Sequence, residues 1–420
     1  MSSAVRFKSA LRSPLLPIWL VIFLLPFGRS SELGTLLCLL GAILLFAREP
    51  HALSEHAGAR LLLWLWAAYT GAALVSSIDA TEMGRSWLSV AGFIRYIPLG
   101  LYVCFAVRRR SRLHALLVAT AVVVALWALD AWVQMLTGWS LGGHAPAVRI
   151  TGIFGADDMK LGPVLASLSP LVLWVARERC GRIGLVAAFV FLLGPILLAG
   201  ERSAWLVYAL VGLAFAWRES GSAARFALWC AGACVAAAIA TGLAWQFSPR
   251  FQDRAERTAQ LFHGTEAGIN TALSGRLDIW RTAWGMYLGH PVNGVGVRDF
   301  RYAYPDFAPR KDHFLVAESC GKNQGACHPH QLLLEIVTNT GTLGLLIWLA
   351  GGWLAWRRWR EVGPAARDVA FPVSVMLAVT LFPINTHLAF YSAWWGLLFW
   401  WMLSLWCAAL YVREDSGEAA

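Results

Sequence analysis

Apolar stretches long enough to cross roughly 30 Å of hydrocarbon recur along nearly the whole chain, which rules out an ordinary soluble fold. About twelve are delimited, near residues 14–28, 33–47, 61–77, 88–107, 113–136, 162–176, 183–199, 203–217, 227–247, 330–355, 369–387 and 392–412. Some are short or meet at tight turns, so a count of about eleven or thirteen also fits. The composition agrees. Hydrophobic residues form 58% of the 420 positions and charged ones 14%, against about a quarter charged in a soluble domain. The 23 Trp and 21 Phe suit two bilayer interfaces, where aromatic rings collect. Length alone would allow two or three soluble domains. The recurring runs point instead to one all-α, polytopic membrane domain carrying one sizeable extramembrane insertion.

The net charge of +10 reads as a topology signal. No basic-aromatic motif accompanies it, so nucleic acid is not an expected partner. Arg6, Lys8 and Arg12 precede the run Leu15–Phe27. Pro17 and Pro26 interrupt that run, and no convincing small-residue cleavage site follows, so an uncleaved first helix is expected rather than a signal peptide. With the N-terminus cytoplasmic, inner loops hold Arg48 and Arg60, Arg108–Arg112, Arg177–Arg182, Arg218 and Arg225, and Arg357–Arg367. Short outer loops hold only Arg29, Arg85, Arg149, Lys160 and Arg202. Both termini come out cytoplasmic. The expected division is a membrane domain with helices 1–9 over residues 1–247, a large outer loop over 248–329, and helices 10–12 over 330–420. The loop is rich in Arg and Lys, yet long loops translocate largely regardless of charge. No internal repeat is evident.

Of the eight cysteines, Cys38, Cys104, Cys230, Cys234 and Cys407 fall in apolar runs and read as small core residues. Cys180 lies in a short basic loop. Cys320 and Cys327 share the large loop, where they pair if it faces an oxidising compartment and stay free otherwise.

Within the loop, Ser274–Leu288 places Leu277, Trp280, Trp284 and Tyr287 or Leu288 at helical spacing, as in an amphipathic helix lying on the outer leaflet. Ser274 is the expected N-cap, with Arg276 in the first turn. A cation there opposes the helix dipole by roughly 0.3–1 kcal/mol, and an anion bound between the free N–H groups and the guanidinium reverses that penalty. Arg202 poses the same question after the tight turn Gly200–Glu201. It either pairs with Glu201 while snorkelling or binds an anion. At the loop's end stands Cys327-His328-Pro329-His330-Gln331. Pro329 suits a first helical position, so His330 is expected to open the tenth helix. The positive dipole end favours a neutral imidazole, available as a base near pH 7. A structural histidine is the alternative, and a His-Pro-His metal site lacks a clear third and fourth ligand. Arg95 and Asp130 intrude into apolar runs and are functional candidates by position. Asp157-Asp158 reads either as a divalent-cation pair or as a solvated acidic turn.

Together these residues resemble the O-antigen ligase and polymerase superfamily. Arg202-Ser203-Ala204-Trp205-Leu206 is similar to the ligases' Arg-x3-Leu signature. His330-Gln331, followed by Gly341 and Gly344, resembles their His-polar-x9-Gly-x2-Gly pattern. Arg276-Leu277 with Trp280, and His290-Pro291 leading to Gly294, Gly296 and Phe300, resemble the segment before that histidine. Residues 149–155 (RITGIFG) resemble a shorter outer-loop motif, with a departure at Ala156-Asp157-Asp158 where many relatives carry Asn-Pro-Asn.

The resemblance implies a bacterial inner-membrane enzyme with one large periplasmic loop. Its substrates would be an undecaprenyl-diphosphate-linked glycan and lipid A-core, with membrane lipids around it and neither cofactor nor metal. It implies His330 as general base and Arg202 and Arg276 as diphosphate ligands. Arg149, Arg281, His328 and Gln331 are further candidate substrate contacts. Arg281, Arg298 and Arg301 either meet a phosphorylated core or serve solubility. An O-antigen polymerase and a protein O-oligosaccharyltransferase share this architecture. A lipid-linked glycan transporter is the reading from a different class, and would place its charged sites near the midplane.

Overall fold

The computed structural model describes residues 13–49, 51, 56–144, 149–155, 159–247, 252, 255, 256, 258–386 and 389–415. The first group of helices is α1 (Leu16–Phe23), α2 (Glu32–Arg48), α3 (Ala57–Ser76), α4 (Met83–Phe93), α5 (Tyr96–Ala106), α6 (Arg110–Thr137), α7 (Leu161–Ala199), α8 (Arg202–Ser220) and α9 (Ala223–Phe247). Short helices α10 (Glu266–Ala272), α11 (Arg276–Gly289), α12 (Phe300–Phe307) and α13 (His313–Val316) then precede α14 (Leu332–Glu361), α15 (Pro364–Thr380) and α16 (Ala393–Ala409). The strands among the described residues are the two-residue pair Trp139–Ser140 and Gly143–His144.

Seven described segments are long and apolar enough to cross a membrane: Leu25–Arg48, Ala57–Ser76, Met83–Ala106, Arg110–Thr137, Leu161–Ala199, Ala223–Phe247 and Leu332–Glu361. The chain is therefore an all-α, polytopic membrane protein. Several expected runs are joined or broken for identifiable reasons. Two of them fall within α7, whose 39 residues would extend about 58 Å if straight. The helix folds back at Gly181 (φ 66°, ψ −154°), a conformation open essentially only to glycine. Gly162 consequently lies against Ala199, at the other end of the same element. The run around 88–107 is interrupted between α4 and α5. Arg95, expected within a helix, stands at that break and reaches Glu32 at 3.5 Å and the Tyr96 hydroxyl at 3.2 Å. Asp130 accepts from the Leu141 N–H at 2.8 Å, and Gln134 accepts from the N–H groups of Thr151 and Gly152. Gln134 thus pins the 149–155 segment to the end of α6, and Asp130 pins the turn at Leu141 beside it.

Which face of a helix meets lipid follows from residue size. On α2, Leu33, Leu36, Leu40, Ile43 and Leu44 are exposed, whereas Gly34, Thr35, Cys38 and Ala42 are buried. Small residues let the backbones of α1 and α2 approach, and the large ones face hydrocarbon. Helix α16 is apolar all round because protein covers it; Trp400 and Trp401 are almost fully buried. The Trp401 indole N–H is satisfied by the Ile18 carbonyl at 3.0 Å, and that of Trp406 by the Ser374 hydroxyl at 3.0 Å. Helix α9 buries none of its residues. Cys230 and Cys234 on it are accordingly not core residues as expected, since an apolar run can serve lipid as well as packing; Cys38, Cys104 and Cys407 are buried.

Charged groups gather at one end, where Arg177 and Arg182 pair with Glu219, Arg218 with Asp368 and Arg110 with Glu414. The opposite end carries α10–α13 on a small core of its own: Ile279, Ala283, Met286, Val295, Phe300, Ala303, Tyr304 and Ala326. Helix α11 uses Ile279, Ala283 and Met286 for this core, so the stripe expected to lie on the leaflet divides. Trp284 and Leu288 stay exposed, while Trp280 donates to the Pro329 carbonyl and Tyr287 hydrogen-bonds Thr342. Cys320 and Cys327 form a disulfide at the edge of this unit. Closing so short a loop restricts the unfolded chain by about 2–3 kcal/mol. Replacing both cysteines with serine should therefore lower the stability of the unit by that amount, seen as faster proteolysis at Lys322 and a lower Tm.

This unit is locked to the bundle through a break in α14. Gly341 adopts φ 63°, ψ −168° inside the helix. The interrupted backbone is met by the segment 291–296. Val295 and Gly296 donate to the carbonyls of Thr338 and Asn339, while Thr342 and Leu343 donate to those of Pro291 and Val292. Irregular backbone at membrane depth is tolerated only when protein satisfies it in this way. From the other side Thr81, Glu82 and Ser86 bond to Val295, Asp299 and Val297.

Candidate functional site

Arg202 is the first residue of α8, following Gly200 in a left-handed turn. Its guanidinium donates to the Thr258 hydroxyl at 3.0 Å and to the Ser274 hydroxyl at 2.8 Å. Glu201, the partner considered for it, forms an ion pair with Arg149 at 3.1 Å. Arg202 thus reaches across to the start of α11.

There the expected cap is corrected. The N-cap of α11 is Gly275 (φ 77°), not Ser274, whose hydroxyl serves Arg202. The Leu277 N–H is taken by the Asn270 side chain at 3.2 Å, and Asn270 also donates to Asp278 in the first turn. The free N–H groups expected to cradle an anion are therefore partly spent. What remains is a pair of guanidiniums. Burial, and then the charge of Arg202, push the pKa of Arg276 down to about 10, leaving it cationic at neutral pH.

His330 also departs from expectation. Pro329 does not open the helix; α14 starts at Leu332 with Gln331 as N-cap, its side-chain oxygen accepting from the Leu334 N–H. A side-chain cap displaced the proline start, and Gln331 is occupied by that bond. His330 lies just outside in the left-handed region, φ 54°. Non-glycine residues there store strain that surrounding contacts must impose. The contacts are visible. Its backbone N–H donates to His328 Nδ1 at 3.3 Å, the two imidazole rings lie 3.9 Å apart, and the Pro329 carbonyl is held by Trp280 at 3.0 Å.

The decisive contact is between His330 Nδ1 and the Thr386 carbonyl at 3.1 Å. A carbonyl only accepts, so Nδ1 carries the proton and Nε2 keeps its lone pair. Burial, and then the Arg276 charge, lower the imidazole pKa from 6.5 to about 4, against the opposing effect of the Thr386 bond. At neutral pH the ring is an uncharged base beside a fixed cation. The cations Arg202 and Arg276 and the base His330 thus meet at one end of the bundle. Arg281 does not join them; it pairs with Glu266 on the surface. Asp157 and Asp158 lie outside the described residues.

Two contributors escaped the sequence reading. Thr386 acts through its backbone, which leaves no side-chain signature. Glu335 is buried in α14, and its carboxylate accepts from the N–H groups of Phe390 at 3.0 Å and Tyr391 at 3.3 Å, anchoring the segment that carries Thr386. An ionisable residue in an apolar run is the signal that singled out Asp130, and it was equally present here.

The fold and this site define a multi-pass membrane protein with a base and paired arginines at one end. Residues 187–349 match the family model described as O-antigen ligase, which supports assignment of the chain to that family. The match spans Arg202, Arg276, His330, Gly341 and Gly344, and leaves out the 149–155 segment. No curated protein matches the chain.

Proposed function

We propose that the chain is an O-antigen ligase of lipopolysaccharide biosynthesis. It transfers a polysaccharide from undecaprenyl diphosphate to lipid A-core at the periplasmic face of the bacterial inner membrane. In this reading the two halves of α7 count separately, about twelve spans alternate, both termini are cytoplasmic, and residues 248–329 are periplasmic. The observation that supports it best is the uncharged His330 Nε2 beside Arg276, with Arg202 joined to the same corner through Ser274.

The chemistry follows directly. The acceptor hydroxyl loses its proton to Nε2 as its oxygen bonds to the anomeric carbon of the donor sugar. The bond from that carbon to the diphosphate oxygen breaks, and the departing charge falls on Arg202 and Arg276. Displacement from the opposite face inverts the anomeric configuration. Placing a base next to Arg276 costs basicity in the empty site. The incoming diphosphate offsets that cation, so the donor itself raises the proton affinity of His330 for the step in which it is needed.

A pH signature results. In the free enzyme the imidazole protonates only near pH 4, so the acid limb of kcat/KM for the donor lies there rather than near 6.5. The limb of kcat, which reports the donor complex, lies at higher pH. Arg276→Gln removes the lowering charge and should shift the kcat/KM limb upward. An unmoved limb would sever the link between the two residues.

The functional test is reconstitution with undecaprenyl-linked glycan and lipid A-core in the presence of EDTA. Acceptor-linked product supports ligation. Donor-linked glycan that lengthens without acceptor indicates a polymerase, and a requirement for metal overturns the two-arginine role. Lipid movement between leaflets without turnover indicates a transporter.

A further inference from the structure

Against His328 lies a small hollow whose lining includes Arg298, Arg301, Cys327, Glu335 and Asn339. Nothing in the diphosphate chemistry uses it. Arg298 occupies the left-handed region (φ 65°), held there by its own N–H donating to the Asn339 side chain at 2.8 Å. Such a conformation costs about 1–3 kcal/mol and persists only where the surroundings impose it.

The arginines are half-buried, and neither guanidinium forms a hydrogen bond or close ion pair with a described residue. The carboxylates of Asp299 and Glu335 act on Arg301 and Arg298 through their charge but form no close ion pair with them, their hydrogen bonds going to backbone N–H groups. Asp299, between them in sequence, is fully buried and accepts from the Glu82 N–H at 2.6 Å. Glu335 is spent on Phe390 and Tyr391. A third cation, Arg85, stacks on Tyr302 nearby. Burial and the charges of Arg298 and Arg85 lower the pKa of Arg301. Half-buried cations left without close partners make an anion receptor, because an oxyanion recovers both the desolvation and the mutual repulsion.

We propose that Arg298 and Arg301 bind an anionic group of the glycosyl acceptor, a phosphate or a carboxylate. The acceptor then approaches His330 from the His328 side, and the donor diphosphate from the Arg202–Arg276 side. Two arginine pairs with separate customers keep two polyanionic substrates from competing for one site. The proposal rests on the ligase reading, and its test separates the two.

The probes are intact lipid A-core, the same material stripped of phosphate, and a carboxyl-reduced preparation. Arg301→Gln and Arg298→Gln should each raise the KM for intact acceptor about tenfold, roughly one charge-assisted contact. The KM for the lipid-linked donor should stay within about twofold. Arg301→Lys, which keeps the charge, should recover part of the loss and reports that the protein folds. The anion is a phosphate if the variants no longer differ from wild type on stripped core, and a carboxylate if the carboxyl-reduced core behaves so. An equal loss on all three acceptors, a donor KM that rises instead, or no change overturns the proposal. Direct binding of intact core to the protein in nanodiscs supplies the readout independent of turnover. A tenfold weaker Kd in Arg301→Gln sustains the receptor even if wild type transfers nothing, and an unchanged Kd sinks it even if transfer occurs.

Discussion

Replacing His330 with asparagine should lower glycan transfer by roughly 10²–10⁴-fold, the range associated with removal of a general base, without unfolding the protein. Asparagine is the informative substitution because it tolerates the left-handed backbone that His330 adopts at φ 54°. It has no basic nitrogen to receive the acceptor's proton. His330→Ala should lose transfer to the same degree but also lose about 1–2 kcal/mol of stability, since alanine in that region is strained. Comparing the two separates the chemistry from the strain: equal rates with different Tm values is the expected pattern. Asparagine that transfers at near wild-type rate would assign His330 a structural role, that of holding Thr386 and His328.

The second large effect is expected at a residue that touches no substrate. Gly341→Val should destabilise the protein by about 3 kcal/mol or more and abolish transfer. At φ 63°, ψ −168° the backbone is in a region essentially reserved for glycine. An added Cβ would also press on the Val292 carbonyl and the Asn293 N–H, which are backbone groups with nowhere to go. The segment 291–296 would lose its place against α14, and with it α11, Arg276 and the Trp280 bond that holds the Pro329 carbonyl. Gly344→Ala should also destabilise, because its Cβ would overlap the Thr340 Cβ, which side-chain rotation cannot move, although without the strain of a left-handed backbone. Gly352→Ala, with open space around the new methyl, is the control and should gain up to about 1 kcal/mol from helix propensity. A Gly341 variant as stable as that control would contradict the clamp.

These residues show how unevenly the site was written in the sequence. Arg202 after the Gly200–Glu201 turn and Arg276 just past Ser274 were legible as cations at helix starts, because a tight turn or a capping residue before an apolar run marks a helix N-terminus without help from the fold. The caps were not. Ser274 and Pro329 carry the right local chemistry, yet Arg202 claimed the first and Gln331 displaced the second. Capping is a competition among neighbours, and the winner depends on who is nearby in space. The stripe on α11 failed for a related reason. Periodicity identifies an apolar face but not whether lipid, a small local core or the bundle receives it. Cys230 and Cys234 repeat that lesson on α9, an apolar run that touches its neighbours yet buries none of its residues fully. Gly341 and Gly294 were visible as spaced glycines, but only the tertiary structure sets each against the backbone that precedes the other at the break in α14.

The sequence by itself determined that the chain lives in a membrane as an all-helical bundle. Length of apolar run and avoidance of charge are local properties, and the bilayer enforces them without reference to the rest of the fold. It also placed three side chains of the right chemistry near one surface. The tertiary structure alone decided what those side chains are. The Thr386 carbonyl, lying 56 residues away in sequence, selects the tautomer of His330. Burial, and then the Arg276 charge, set its proton affinity, and Glu335 holds the segment that carries Thr386. Proton affinity and hydrogen-bond direction depend on distances between groups remote along the chain, which no pattern of neighbouring residues encodes.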